Sequence, residues 1–212
     1  TEVFKGDRVV ADGVERSLGD VTATEVVGGL VSSTDPFGDG SLLAKLEFEN
    51  NVTDTTGGFT WTATSITYGA GKYSNSAIFN GNGSTVKSNV AVLPLDIFTV
   101  SLWVKHITLK TNGMLFSQYL GSSDAGRTLV RTTSTGKLEI GGSGGTMTII
   151  TADPMVTGVW QNVIVEKDSV NGWRFFVDNI LVATSNGTIN IQNTSTEVGG
   201  DLDWGAVNTI NG

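Results

Sequence analysis

Apolar and polar residues alternate with a period of two along several short segments of this chain. Residues 98–104, 162–166 and 173–177 each carry an apolar side chain at every second position. Because successive side chains of a β-strand point to opposite faces, each segment is predicted to be a strand with one buried face. The turn residues Asp178 and Asn179 follow the last segment and lead into another apolar run, which predicts a β-hairpin.

Further short strands are predicted at 43–48, 76–79, 84–87, 113–119, 128–132, 137–140, 146–151 and 195–198. No segment combines the Ala, Leu, Glu and Lys content of a long amphipathic helix, and no repeat recurs at a fixed period. The 28 glycines suit tight turns between many strands. The pattern therefore predicts an all-β fold, a two-sheet antiparallel sandwich.

Residues 1–34 differ from the rest, because they place charged residues between short valine-rich pieces. They contain one phenylalanine and neither tryptophan nor tyrosine, too few large apolar side chains for a core. The turn-rich run 35–40 marks a boundary. We therefore predict an N-terminal arm and linker at 1–41 and a sandwich domain at 42–212. The arm is either a poorly ordered leader or a segment that orders on a partner subunit.

The composition excludes several classes of function. The net charge is −8 and no basic residues cluster, so nucleic-acid binding is not expected. There are no cysteines, which excludes disulfides and thiolate chemistry and suggests a bacterial or viral source. No apolar run reaches the roughly 18 residues of a membrane-spanning helix. No charged-then-apolar leader follows Thr1, as expected of a processed chain or of part of a longer one.

Several short motifs occur in a recognisable order. They are Leu46–Asn50 followed by Asp54–Gly57, Gly71–Tyr73 with Ser76–Gly81, Phe98–Val104, Gly158–Val163 and Phe176–Asn179. Together they resemble the LamG-like jelly-roll family, a branch of the concanavalin A-like lectins and glucanases. The resemblance covers about residues 42–200 and implies a jelly-roll sandwich.

The chain departs from the family pattern in two places. Family members close with a further strand, and this chain stops at Asn211 and Gly212 where that strand is expected to begin. The resemblance therefore implies a closing strand that is cut short or supplied by a neighbouring chain. Asn179 also replaces the usual hairpin glycine, a substitution that asparagine tolerates because it reaches the left-handed region.

Candidate catalytic residues are few. Glu47 and Glu49 are two apart on a predicted strand, as paired carboxylates of glucanases on this fold are, but Lys45 occupies the first position of the expected three-acid run. We interpret both glutamates as a solvated strand face. His106 is the single histidine, and it is in phase with buried positions, so we predict a packed side chain. The glycine-rich run 141–145 lacks a following lysine and is predicted to be a hairpin tip. The sequence therefore predicts no enzyme.

Binding residues are predicted on two aromatic side chains and one group of oxygen donors. Trp103 lies on the polar side of its strand, where it either stacks on a sugar or packs under a loop or against a neighbouring strand. Trp204 lies in a Gly/Asp-rich loop and is a candidate glycan contact. The resemblance implies a calcium site at the loop rim, although a metal-free domain fits the sequence equally well; the candidate ligands are Asp54, Asn80, Asn82, Asp201 and Asp203.

Three functions remain open. The first is a virion surface protein of a tailed bacteriophage (a head fibre, decoration protein or tail appendage) that contacts host glycans. Residues 1–34 would then contact other virion or cell-surface proteins, and the chain would be a homo-oligomer. The second is a carbohydrate-binding or adhesive module of a secreted bacterial protein, and the third is a glucanase-type hydrolase. The first two place the protein at an extracellular or virion surface.

Overall fold

The computed structural model describes residues 3–5, 8–11, 14–17, 40–81, 83–110, 113–118, 128–141, 147–151, 155–186, 195–199 and 208–211. The chain divides into two compact units, Thr1–Leu43 and Ala44–Gly212. The elements in the described ranges are β-strands, numbered β1 to β17 in chain order.

The first unit contains a three-stranded antiparallel sheet of β1 (Val3–Lys5), β2 (Arg8–Ala11) and β3 (Val14–Ser17). Successive strands pair, with Phe4 opposite Val9 and Val10 opposite Glu15. We predicted no strand in this unit, although the dipeptide Asp12-Gly13 between two valine-containing runs is a common hairpin signal. The predicted domain boundary after residue 41 remains a prediction.

The second unit contains two seven-stranded sheets. The first sheet has the spatial order β15 (Ile180–Ser185), β14 (Gly172–Val177), β13 (Trp160–Asp168), β8 (Phe98–His106), β17 (Asn208–Asn211), β6 (Asn75–Phe79) and β5 (Ile66–Ala70). The second has the order β12 (Met147–Ile150), β11 (Leu138–Gly141), β10 (Thr128–Thr132), β9 (Gly113–Gln118), β16 (Thr196–Val198), β7 (Thr85–Ser88) and β4 (Trp61–Thr64). The antiparallel pairing within both sheets confirms the predicted all-β sandwich.

The core lies between these two sheets and is built from the alternating positions seen in the sequence. Trp173 is 1% exposed and meets Phe98 edge to face, with ring centroids 5.7 Å apart. His106, on the inward face of β8, is also buried at 1% exposure, as its phase predicted. Other buried core residues come from both sheets: Leu102, Val104, Phe116, Val130, Ile140, Val163, Val165 and Phe175.

The predicted strand at 43–48 is wrong. Leu46 forms only an isolated bridge with Asp54, and the segment has no continuous pairing. Phe48 and Asn50 have φ angles of 57° and 58°, which a regular strand does not allow. Leu46 and Phe48 are nonetheless buried. The alternation therefore correctly indicated burial, but the backbone reaches it by an irregular path.

The hairpin between β14 and β15 forms as predicted. Val177 pairs with Ile180 across a two-residue turn in which Asp178 and Asn179 have φ angles of 49° and 65°. Positive φ at both positions is the mark of a type I′ turn, which matches the twist of the flanking strands. The Asp178 carboxylate also accepts a hydrogen bond of 2.9 Å from the Asn162 amide, which joins the turn to β13.

The structure corrects the expectation that a neighbouring chain supplies the closing strand. The chain itself fills the position between β6 and β8 with β17, where Ile210 lies opposite Ala77 on one side and Val104 on the other. A strand of four residues is too short to show alternation clearly, so the sequence did not reveal it.

A pair of glycine substitutions separates backbone strain from packing. Gly158 and Gly199 have φ angles of 76° and 80°, but a Cβ at Gly158 meets open space whereas a Cβ at Gly199 would overlap the buried Phe79 ring. We expect Gly158→Ala to lower the free energy of unfolding by about 1–2 kcal/mol. Gly199→Ala should lower it by about 1–3 kcal/mol more. Urea denaturation measures both, and equal losses would contradict the packing described at Phe79.

Candidate functional site

The outward face of the first sheet presents aromatic side chains on its two central strands. Trp103 and Lys105 lie on the face of β8 that points away from the core. On β13, Trp160 is opposite Lys105 and Asn162 is opposite Trp103, so these four residues share one face. Trp103 and Trp160 are thus diagonal neighbours, about 7–8 Å apart.

The loop between β5 and β6 lies against Trp103. A hydrogen bond of 2.7 Å from the Gly71 amide to the Ser74 carbonyl closes the loop. The Tyr73 ring meets Trp103 edge to face, with centroids 5.9 Å apart and planes at 89°, and the Lys72 ammonium lies 4.7 Å from the Trp103 ring centroid. Trp103 therefore packs against a loop, which is one of the interpretations that its sequence position left open. We call Tyr73, Trp103 and Trp160 the aromatic strip.

Tyr73 is the accessible member of the aromatic strip. It is 73% exposed, whereas Trp103 and Trp160 are half-buried. Tyr73 and Trp160 were not among the predicted site residues. Both lie in motifs that we had identified, Gly71–Tyr73 and Gly158–Val163, but neither motif indicates which side chain stays exposed.

Glu49 holds the loop that carries Tyr73. Its carboxylate accepts hydrogen bonds from the Ser74 hydroxyl (2.9 Å), the Asn75 backbone amide (3.2 Å) and the Asn75 side chain (3.0 Å). The Ser74 hydroxyl is the largest of the causes that keep the pKa of Glu49 below its ordinary value, and the two Asn75 donors add to it. Glu49 is therefore an ionised loop anchor.

Glu47 and Glu49 do not share a strand face as predicted, because the segment that carries them forms no strand. Glu47 instead forms an ion pair of 2.8 Å with Lys45, while Glu49 is hydrogen-bonded to the β5–β6 loop. Glu47 and Glu49 therefore contact different parts of the chain.

Polar groups lie beside the strip on this face, and farther along it Ile164 of β13 lies opposite Phe176 of β14. The Lys105 ammonium lies 5.2 Å from the Trp160 ring centroid. The Asn162 side-chain amide donates to the Ser101 hydroxyl and to the Leu102 carbonyl, both at 3.3 Å. Farther along, Arg174 contacts Glu166 at 2.8 Å and Asp168 at 3.2 Å. The strip therefore lies beside amide and hydroxyl groups that can bond a polar ligand.

Two acidic side chains of the second sheet also have cationic partners. Glu139 pairs with Arg131 at 2.9 Å, and Glu197 pairs with Lys87 at 2.8 Å. Strands β10 and β9 separate β11 from β16, so three strand spacings of about 4.8 Å lie between these glutamates. That separation of about 14 Å exceeds the roughly 5–9.5 Å between catalytic carboxylates of glycosidases.

The predicted calcium ligands lie only partly within the described residues. Asp54 is 5% exposed, and its Oδ1 accepts hydrogen bonds from the Lys45 amide and from the Thr56 amide and hydroxyl. Its Oδ2 accepts one from the Phe59 amide. Oδ1 therefore has no lone pair left for a cation, and Asp54 acts as a loop anchor. Asn80 accepts a hydrogen bond from the Ser84 hydroxyl.

The remaining predicted site residues are Asn82, Asp201, Asp203 and Trp204, which lie outside the described residues. In the described ranges, no group of three or more His, Asp or Glu side chains could hold a metal ion. Calcium binding therefore remains a prediction. Within the same ranges, no helix is long and apolar enough to cross a membrane.

Comparison with known proteins places these features in a wider group. The family model Laminin_G_3, described as the concanavalin A-like lectin/glucanases superfamily, matches residues 80–212. No curated protein sequence matches the chain. Domain 4 of AbnA, an extracellular arabinanase from Geobacillus stearothermophilus, solved in complex with arabinotriose, is similar with a TM-score of 0.63 and 21% identity over 81% of this chain and 92% of that chain.

Two toxin domains share the same fold at lower identity. The binding domain of Paraclostridial Mosquitocidal Protein 1 has a TM-score of 0.60 and 13% identity, and the receptor binding domain of botulinum neurotoxin type G has 0.56 and 12%. In both comparisons the match covers 81% of this chain and 47% of the toxin domain. The chain thus spans about half the length of these domains. At these identities the similarity concerns the fold.

The hydrogen bonds at Glu49 predict a specific pH dependence. Because its pKa is lowered in the folded state, its stabilising effect is complete above the ordinary glutamate range and is lost as the pH falls through the folded-state pKa. We expect NMR titration of the Glu49 carboxyl to give a midpoint below that of a free glutamate. Ser74→Ala should raise that midpoint towards the free value.

The variant Glu49→Gln tests the effect on stability. It should reduce the loss of unfolding free energy on acidification relative to the unmodified chain, as urea denaturation at several pH values measures. A Glu49 midpoint at or above the free value would show that the carboxylate does not hold the loop.

Proposed function

Because the chain belongs to the concanavalin A-like lectin/glucanases superfamily, we propose that Ala44–Gly212 is a non-catalytic carbohydrate-binding module whose ligand lies on the aromatic strip. The observation behind this proposal is Tyr73, a large aromatic side chain that is 73% exposed and contacts Trp103 of the outward sheet face. An aromatic ring offers an extended apolar contact together with a polar tip, which suits ligands with both kinds of surface.

The strip is preorganised for binding. Trp103 contacts the Tyr73 ring edge, and Glu49 fixes the residues that follow Tyr73 in the loop. A ring already held in place loses little side-chain freedom when a ligand stacks on it, so more of the contact energy appears as affinity. Sugars combine apolar C–H faces with hydroxyl rims. The Asn162 amide and the Ser101 hydroxyl supply polar groups beside the rings.

Known structures of this fold support a saccharide as the ligand class. The similar arabinanase domain was solved with arabinotriose. Cell entry of botulinum neurotoxin type C is dependent upon interaction with two ganglioside molecules, and the structure of that protein has a TM-score of 0.54 and 14% identity to this chain. These are properties of those proteins, and they make carbohydrate the first class to test here.

The acidic side chains and the histidine support a binding domain without catalytic activity. Glu47, Glu49, Glu139 and Glu197 each have their own partners. His106 is 1% exposed on the core side of β8, away from the strip. A general base must reach its substrate. We therefore propose a binding domain, and release of reducing ends from a polysaccharide that Glu47→Gln abolishes would contradict this.

The setting of the module is proposed as an extracellular or virion surface. The separate unit Thr1–Leu43, with its own three-stranded sheet, suits an attachment segment. On a tailed bacteriophage it would join the sandwich to the particle. In a secreted bacterial protein it would join the sandwich to a neighbouring domain, and this alternative needs only the carbohydrate-binding function.

Substitution of Tyr73 tests the proposed ligand site. We expect Tyr73→Ala to weaken binding of a saccharide identified on a glycan array by about tenfold or more, because an exposed aromatic anchor is lost. Tyr73→Phe keeps the ring and should retain most of the affinity. Isothermal titration calorimetry measures both variants.

Val170→Ala is the matched control, since Val170 is 86% exposed and lies in the turn between β13 and β14 of the same sheet. It should bind as the unmodified chain does. Unchanged binding in Tyr73→Ala, with a folded protein by circular dichroism, would place the ligand elsewhere.

The role of the N-terminal unit is tested by molecular mass. If residues 1–41 drive association, light scattering of the whole chain should give a multiple of its 22.2 kDa mass. Removal of residues 1–41 should then give a folded monomer, because the core residues that the structure describes lie at Leu46 and beyond. A monomeric whole chain that does not associate with phage particles would exclude the virion proposal.

A further inference from the structure

We infer that the aromatic strip selects sugars that carry a carboxylate, an inference that rests on the proposed carbohydrate-binding function. The observation behind it is the pair of ammonium groups placed on the strip. Lys72 lies 4.7 Å from the Trp103 ring centroid, and Lys105 lies 5.2 Å from that of Trp160. Both half-buried indoles of the strip therefore have a cation beside them.

In the described ranges, four basic residues of the sandwich form ion pairs, and Lys72 and Lys105 do not. Lys45, Lys87, Arg131 and Arg174 each form an ion pair with a carboxylate. Lys72 and Lys105 have no such partner among the described residues, and aromatic rings hold them instead. An aromatic ring attracts an ammonium without neutralising its charge. The two cations are therefore left to interact with an incoming anion.

The acidic residues nearest the strip are already engaged. Glu49 is hydrogen-bonded to Ser74 and Asn75, and Glu166 on the same face pairs with Arg174. The residue opposite Trp103 is the neutral Asn162. The chain as a whole carries a net charge of −8, so two lysines on one face without an ion-pair partner among the described residues are a local departure from the overall field.

The arrangement fits one anionic group better than many. Lys105 is two residues beyond Trp103 on the same strand face, about 7 Å away, while Lys72 reaches Trp103 from the loop. A sugar that stacks on Tyr73 lies on the face that carries both ammonium groups, where its carboxylate can form charge-assisted hydrogen bonds with them. A polyanion such as nucleic acid needs a denser array of cations. The geometry therefore points to a single carboxylate on a sugar ring.

Two matched ligand pairs test this inference by isothermal titration calorimetry. The first pair is sialyllactose and lactose, and the second is trigalacturonate and its methyl ester. We expect the acidic member of at least one pair to bind about tenfold or more tightly than its neutral partner. The pair that responds distinguishes a sialylated glycan from a polyuronate as the source of the carboxylate.

Variants of Lys72 and Lys105 test whether the preference for acidic sugars arises at the aromatic strip. Lys72→Gln and Lys105→Gln should each reduce the preference for the acidic member by about three- to tenfold, because each removes one cation. Lys137→Gln removes the same charge next to β11 of the other sheet and should leave the preference unchanged. Thermal unfolding verifies that each variant is folded.

The outcomes separate this inference from the proposed function. If neutral and acidic members bind equally and Tyr73→Ala weakens both, carbohydrate binding stands and the carboxylate preference is wrong. A preference that survives in the Lys72→Gln/Lys105→Gln double variant would also overturn the assignment. If no member of either pair binds, both the inference and its premise at the strip fail.

Discussion

The antiparallel pairing of β8 with β13 fixes the core and the aromatic strip in a single register. Val163 lies opposite Leu102, and both point into the core, while Asn162 lies opposite Trp103 on the outward face. A shift of one residue would turn every side chain of a strand to the other face. Burial of the apolar set therefore forces Trp103, Lys105 and Trp160 outward. The free energy that folds the sheet also positions the strip.

Loops on this framework are held by side-chain acceptors that reach backbone amides. Asp54 accepts from three backbone amides, and Glu49 accepts from the Asn75 amide. At the second sheet, the Gln118 side chain accepts from the Val92 and Leu93 amides and donates to the Leu93 carbonyl. Such bonds satisfy backbone groups that have no strand partner, which would otherwise destabilise a compact loop. This explains how a chain with 28 glycines can hold Tyr73 in one place.

The alternation of apolar and polar residues predicted the strands and turns that neighbouring residues determine. It failed for segments whose conformation depends on contacts distant in the sequence. The long strands β8 and β13 and the Asp178-Asn179 hairpin were predicted, because burial and turn preference agree there. Strands β4 and β5 were missed, since Trp61–Ala70 is rich in threonine and other small residues and shows no clear period along its whole length. Segment 43–48 shows the strand-like alternation, but its backbone leaves the extended conformation at Phe48. The outward face of Trp103 followed from its phase, whereas the exposure of Tyr73 depends on Glu49, which precedes Ser74 by 25 residues in the chain.

The lysines on the strip illustrate how aromatic contacts affect selectivity. A lysine has about 2 kcal/mol of side-chain rotational entropy, and much of it is lost when a free lysine binds a ligand. Contact with an indole restricts the Lys72 and Lys105 side chains beforehand and leaves their charges intact. A carboxylate that arrives then meets cations already in place, so the net negative charge of the chain affects long-range approach more than contact affinity. Selectivity for an acidic sugar on this face therefore depends on where two charges are held, and is compatible with an acidic protein.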